Sequence, residues 1–330
     1  MYLSTNRWLP AIALLSLPAF VGTAYAGPPG GTQCDFGLYR EFGGSGEFWK
    51  FFLDTDQDGA TNSSFQFGPS TADVFVGNWA GTGDNVAVLR RNFPSGNNQK
   101  FFINTDTDPQ DEGSYQFGLA ADEVYIGDWD GDGNDEVAIA RAQGPNRKFF
   151  LDHGDGKVDE VSFVFRPMTD TVVIGDWDGS GRDFVGTAAA QGSALRWRLD
   201  TNDNGAAAEI VFDFGNATDT PIVGDWNGDG VTDVGVIRNN SGVFQWLLDF
   251  NTPGTRGGAA EASFSFGSAA TDTPVVCDFD GDGSDEPGLT RKASGQLRFI
   301  TTNDLSNTVA KNVRFGNATD NPIVGDFDNN

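Results

Sequence analysis

The chain has 330 residues and carries 47 acidic side chains against 21 Lys and Arg, a formal charge of −26. That balance excludes nucleic acid and anionic membrane surfaces as partners, since both would be repelled, and it makes the compact state self-repelling unless cations bind. Glycine (44) and phenylalanine (28) are abundant and no segment sustains a helical stripe, so the composition reads as all-β.

The N-terminus opens with Arg7, an apolar run from Leu9 to Val21, and Ala24-Tyr25-Ala26. This is the pattern of a secretory signal peptide over residues 1–26; the apolar run is too short to span a bilayer. No later stretch is long and apolar enough for a membrane helix. The expected product is a soluble, secreted monomer, extracellular or periplasmic. It has a short segment over residues 27–33 and one domain over residues 34–330.

That domain is a repeat. "VGNWAGTGDNVAVLRR" begins at Val76, "IGDWDGDGNDEVAIAR" at Ile126 and "IGDWDGSGRDFVGTAA" at Ile174. "VGDWNGDGVTDVGVIR" begins at Val223, "VCDFDGDGSDEPGLTR" at Val276 and a truncated "VGDFDNN" at Val324. The starts lie roughly fifty residues apart, a period typical of propellers and solenoids. Each unit reads as four short strands. In one copy these are "TPIVGDW", "DVGVIR", "VFQWLLD" and "EIVFDFG", with Gly, Asn, Asp and Ser between them. Four strands per unit is a β-propeller blade; solenoid coils would need parallel strands and shorter units. The chain stops after one first strand, while "CDFGLYREF" near the start matches a second strand. The two ends together make one composite blade, which closes a six-bladed ring and leaves no unpaired edge. Blades are numbered from the composite one.

The stretch "FGNATDTPIVGDWNGDGVTDVGVIR" (215–238) resembles the FG-GAP and VCBS-type repeats of integrin α-subunit propellers and of secreted bacterial proteins. The resemblance covers nearly the whole exported chain. It implies a calcium-binding propeller with the metal loop between the first two strands of a blade, and it implies no particular activity.

The loops themselves carry that chemistry. Asp225, Asn227, Asp229 and Asp233 stand at positions 1, 3, 5 and 9 of "DWNGDGVTD". Alternate oxygen donors on a glycine-rich turn converge, and Ca2+ takes six to eight hard oxygens at flexible distances. The same set recurs in blade three (Asp128, Asp130, Asp132, Glu136) and blade six (Asp278, Asp280, Asp282, Glu286). Blade four keeps Asp176 and Asp178 but has Ser180 and Phe184 at the later positions, and blade two lacks the set. The composite loop would draw Asp326, Asp328 and Asn330 from one end and Asp35 from the other. Acidic runs at 54–62 and 104–112 read as hairpin turns rather than metal sites.

Catalysis has little to stand on. His153, the one histidine, lies in a turn that no other copy shares, which disfavours triad chemistry. The aromatic at loop position 2 (Trp79, Trp129, Trp177, Trp226, Phe279, Phe327) reads as packing between blades. Trp197 and Trp246 stay open to either role. An Asp entering each first strand faces an Arg leaving the second in five blades; Asp219 with Arg238 is the model pair. Blade four has Ala189 instead, which leaves Asp170 as a candidate binding residue. Cys34 and Cys277, the only cysteines, are expected to pair in an exported protein. Three functions remain: a calcium-stabilised, lectin-like or adhesive module for an extracellular glycan or protein, a secreted hydrolase using paired carboxylates, and a purely structural surface protein.

Overall fold

The computed structural model describes residues 33–328, apart from 45–46, 82, 107, 154–160, 206–207 and 252–254. The expected signal peptide over residues 1–26 and Asn330 of the composite loop lie outside the described residues. Those residues form six four-stranded antiparallel sheets. Blade five is representative, with strands Thr220–Gly224, Asp233–Asn240, Val243–Asp249 and Ala262–Ser268 in sequential order. The composite blade is present: Asn321–Gly325 pairs with Asp35–Phe42, with Gly37 opposite Ile323. The fold is thus the six-bladed β-propeller expected.

Alternation along the strands explains the packing. Trp197 and Leu199 point to one face of blade four and are fully buried, as period 2 requires. The apolar clusters are not inside blades but between them. One joins Trp177, Trp197 and Phe214 of blade four to Val223, Val234 and Val236 of blade five. Each of the other five likewise bridges neighbouring blades, the last joining blade six to the composite blade. Trp197 stacks on Phe212, centroids 6.3 Å apart, and Trp246 on Phe264 in the next blade at the same separation. Both indole N–H groups donate to backbone carbonyls, Trp197 to Phe214 and Trp246 to Phe266. The two tryptophans are therefore core. Burying a side chain of this kind stabilises by about 2–3 kcal/mol, so the ring is held chiefly at its seams.

A polar clasp crosses each seam at the inner end of the loops between first and second strands. The residue before each second strand reaches back to the first loop residue of the preceding blade. Asp135 accepts from the Asn78 N–H at 2.7 Å, Asp183 from Asp128 at 3.1 Å, Asp285 from Asp225 at 2.8 Å and Asp84 from Asp326 at 3.0 Å. Thr232 accepts likewise from Asp176 at 3.0 Å. Each also donates its own N–H to the carbonyl of the same partner. The glycine that ends the first strand at these five seams makes room: a Cβ at Gly127 would lie 2.8 Å from the Asp183 carboxylate, and one at Gly325 2.6 Å from Asp84. At the sixth seam Cys34 donates to the Asp278 carbonyl at 2.7 Å and is disulfide-bonded to Cys277. The expected pairing of the two cysteines is present.

Candidate functional site

The first loop residue shapes each turn. Asp128 accepts from the N–H groups of Gly131, Asp132 and Gly133 at 2.6, 3.1 and 2.9 Å. Asp225 and Asp278 repeat the arrangement, and so does Asp176 with Gly179, Ser180 and Gly181. An acceptor facing three successive donors fixes a tight loop. The last residue closes it: Glu136 accepts from the Trp129 N–H, Glu286 from Phe279 and Asp35 from Phe327.

In blade six all four expected residues come together. Asp278, Asp280, Asp282 and Glu286 each offer an oxygen, and these lie within 4.8 Å of one another. In blade three Asp128, Asp130 and Glu136 meet that condition, and Asp132 stands outside the set. The composite loop brings together Asp35, Asp326 and Asp328 from opposite ends of the chain. The acids of the 54–62 and 104–112 turns also converge, as Asp54 with Asp56 and Asp58, and as Asp106 with Asp108 and Glu112. They serve as turns too, since Asp54 accepts from the N–H groups of Asp58 and Gly59 at 3.0 and 2.8 Å. Asp176 and Asp178 of blade four gain no third acid among the described residues.

Blade five departs from expectation. The Arg256 side chain is buried against the loop, with Nη2 2.8 Å from the Thr232 carbonyl and 3.3 Å from Asp233 Oδ1. A guanidinium thus stands beside the position-9 carboxylate, where the sequence reading placed a metal ion. Among the described residues Asp225, Asp229 and Asp233 do not form a convergent set. Arg256 lies in an irregular stretch that matches no other copy, which is why the repeat did not show it.

Burial and crowding push the closing carboxyls up. Glu136 and Glu286 rise to about 9, by burial first and then by the neighbouring loop aspartates. Asp35 also rises to about 9, by burial and then Asp328. Asp280 Oδ1 is buried without a hydrogen-bond partner among the described residues. These groups either hold protons or share a cation, and the donors are all hard oxygens, the set that calcium prefers.

The remaining candidates resolve as structure. Trp129, Trp177, Trp226 and Phe279 are buried, and the three indoles donate to backbone carbonyls at 3.0–3.2 Å. The Asp–Arg pairs are present. Arg238 donates twice to Asp219 at 3.0 and 2.7 Å, and Arg141 and Arg291 make the same fork with Asp122 and Asp272. Arg40 reaches Asp320 at 2.8 Å. Blade two differs at both partners: its loop is one residue shorter, with Gly77 opposite Asn85 whereas Gly127 lies opposite Glu136, so that Arg90 and not Arg91 stands at the place of Arg141. Ala72, not Asp73, occupies the place of Asp122, and the Asp73–Arg91 contact at 2.8 Å is more exposed than the others. The clasp carboxylates escaped the sequence reading. Their one signal was an Asp before the second strand in four copies, a position that the ligand pattern skips.

A cavity of about 360 Å³ opens at the seam between blades four and five. Phe214 and Leu247 give it apolar walls, and Asp213, Asn216 and Arg238 give it a polar rim.

Fold and loops together define a closed six-bladed propeller with acidic first loops. No protein-family model and no curated protein matches the chain. Among solved structures it is similar to one described as the structural basis of specific recognition of non-reducing terminal N-acetylglucosamine by an Agrocybe aegerita lectin. The TM-score is 0.52 at 11% identity, over 92% of this chain and 97% of that one. At that identity the likeness shows the fold alone.

Proposed function

We propose that this chain is an exported, non-catalytic propeller of the FG-GAP/VCBS kind, stabilised by calcium, that recognises an extracellular glycan. The observation that carries the reading is the seam cavity between blades four and five. A sugar ring needs an apolar surface for its C–H face and a few fixed polar groups for its hydroxyls, and Phe214, Leu247, Asp213 and Asn216 offer both. The structural neighbour, a lectin propeller of similar extent, supports the same class of ligand. Calcium is assigned to the loops of blades three and six and to the composite loop, where the carboxylates converge. In blade five Arg256 supplies the positive charge.

The test is a blocking substitution. Ala259 lines the cavity and is exposed, so Ala259→Trp fills it without removing a hydrogen bond. The variant should lose glycan binding at an unchanged melting temperature. Undiminished binding would move the site elsewhere, and a wild-type protein that binds no glycan would end the recognition reading.

A further inference from the structure

Five of the six seams share one apolar contact. The fourth strand of one blade ends in a glycine in the left-handed region: Gly68, Gly118, Gly215, Gly267 and Gly316, with φ from +67° to +97°. Each presses on an aliphatic residue in the second strand of the next blade, in turn Val88, Ile139, Val236, Leu289 and Leu38. Opposite that residue on the third strand stands another apolar one: Phe102, Phe150, Leu247, Ile300 and Phe52. The seam between blades three and four replaces all three. Arg166 takes the glycine's place at φ +55°, Thr187 takes the aliphatic place, and Arg198 lies opposite Thr187. The arginine that leaves the second strand elsewhere is Ala189 here.

These changes carry costs, against which stand only the Arg166 guanidinium over the Phe165 ring at 5.5 Å and an exposed hydrogen bond from Arg198 Nη2 to Gln191 Oε1 at 3.0 Å, among the described residues. A bulky non-glycine residue held in the left-handed region is strained, and such strain gathers at functional positions. Thr187 has no exposed surface, and its hydroxyl has no hydrogen-bond partner among the described residues. The Nε of Arg166 is likewise buried and unpartnered there. Burial, and then Arg166, push the Arg198 guanidinium below its ordinary value, while Asp170 pulls the other way. Arg196 is neutralised by Asp213 at 2.7 Å and Arg147 by Glu123 at 2.6 Å. Two guanidiniums and the one carboxylate of Asp170 leave a single positive charge at the seam.

A structural account would have Arg198 stand in for the arginine missing at 189 and neutralise Asp170. That explains one charge. It explains neither Arg166 in a glycine's conformation nor a buried, unpaired threonine. One seam further on, the same place in the repeat is the cavity described above, lined by Gly215, Arg238 and Leu247.

We propose that the seam between blades three and four is an oxyanion seat, in which Arg166, Arg198 and Thr187 hold one carboxylate or sulfate group borne by an acidic saccharide. The saccharide rests on the glycan reading above; the anion does not. Guanidinium pairs suit planar carboxylates and sulfates through charge-assisted, forked hydrogen bonds. The strongly acidic remainder of the surface would exclude long polyanions and leave a single charged group to enter.

The experiment is calorimetric titration of the full chain with glucuronate, with glucose and with inorganic sulfate. The comparison variant is Arg166→Gly/Thr187→Val/Arg198→Leu, which writes the blade-five pattern into this seam, and Arg198→Gln alone serves as a milder companion. The wild type should bind glucuronate and sulfate. The triple variant should bind both at least about tenfold more weakly, the loss expected of a charge-assisted bond, and should melt no lower than wild type. Arg198→Gln should weaken both in the same direction. Sulfate binding without glucuronate binding would uphold the seat and count against the glycan reading. Equal glucuronate affinity in wild type and variants, or no binding of either anion by the wild type, would overturn the proposal.

Discussion

Cys34 and Cys277 stand, at the seam that closes the ring, in the two places held elsewhere by a clasp residue and a glycine. Cys277 ends a first strand opposite Glu286, as Gly224 does opposite Asp233. Cys34 precedes a second strand, as Asp135 and Asp285 do. The disulfide is thus the covalent member of a set of six seam clasps, at the one seam where the two ends of the chain meet.

Removing that bond should loosen the seam that closes the ring. The bridge spans 243 residues, so Cys34→Ser/Cys277→Ser should lose about 2–5 kcal/mol in chemical denaturation. Cys34→Asp/Cys277→Gly, which rebuilds the clasp of the other seams, should recover part of the loss. Equal stability of the two double variants would show that the clasp geometry contributes nothing.

The Asp–Arg forks should divide by burial. Asp219 is nearly fully buried in its pair with Arg238, so Arg238→Ala strands a carboxylate and should cost about 1–3 kcal/mol. Arg196 and Asp213 are both partly exposed, and Arg196→Gln should leave the melting temperature unchanged, as exposed pairs usually do. Thermal melts of the two variants side by side check the contrast.

Arg256 acts as a resident cation. In chelator, Arg256→Ala should destabilise by about 3 kcal/mol, because Asp233 stays buried without its partner. Added calcium should reverse the loss, since Asp225, Asn227, Asp229 and Asp233 would then form a complete donor set. Calcium stoichiometry by calorimetry should rise by about one ion over wild type. An unchanged stoichiometry would contradict the assignment.

The clasps predict a pH dependence of definite sign. Asp84 rises to about 8 through burial and then Asp135, and Asp285 rises to about 8 through burial and then Asp225. Their unfolded values lie near about 3.9. The folded state therefore binds more protons, and their stabilising contribution is complete below about pH 4 and is lost as pH rises through about 8. In chelator, Asp84→Asn/Asp285→Asn keeps the acceptors and should flatten the fall in stability across that range. A slope identical to wild type would show that other groups set it.

What the sequence disclosed follows from which contacts are local. The six blades and the composite closure were legible because "TPIVGDW" and "DVGVIR" are neighbours along the chain, and their alternation repeats. The loop aspartates were legible for the same reason, since Asp278, Asp280 and Asp282 share one turn. The clasps were not, because Asp183 meets Asp128 across a seam, 55 residues away. Arg256 was hidden by a loop that breaks the repeat; Arg91 was misplaced by a one-residue deletion in the loop before it, and Asp73 because it stands one residue beyond Ala72, which fills the place of Asp122. Asp170 drew attention through Ala189 alone, whereas the structure adds Arg166, Thr187 and Arg198 on the same seam.

Calcium-dependent glycan recognition is tested most directly on a glycan array probed with the full chain, once in millimolar calcium and once after chelation. Specific binding to a small set of saccharides is expected in calcium, lost or greatly reduced after chelation. No bound saccharide should be cleaved. An empty array in calcium, or turnover of a bound saccharide, would contradict non-catalytic recognition.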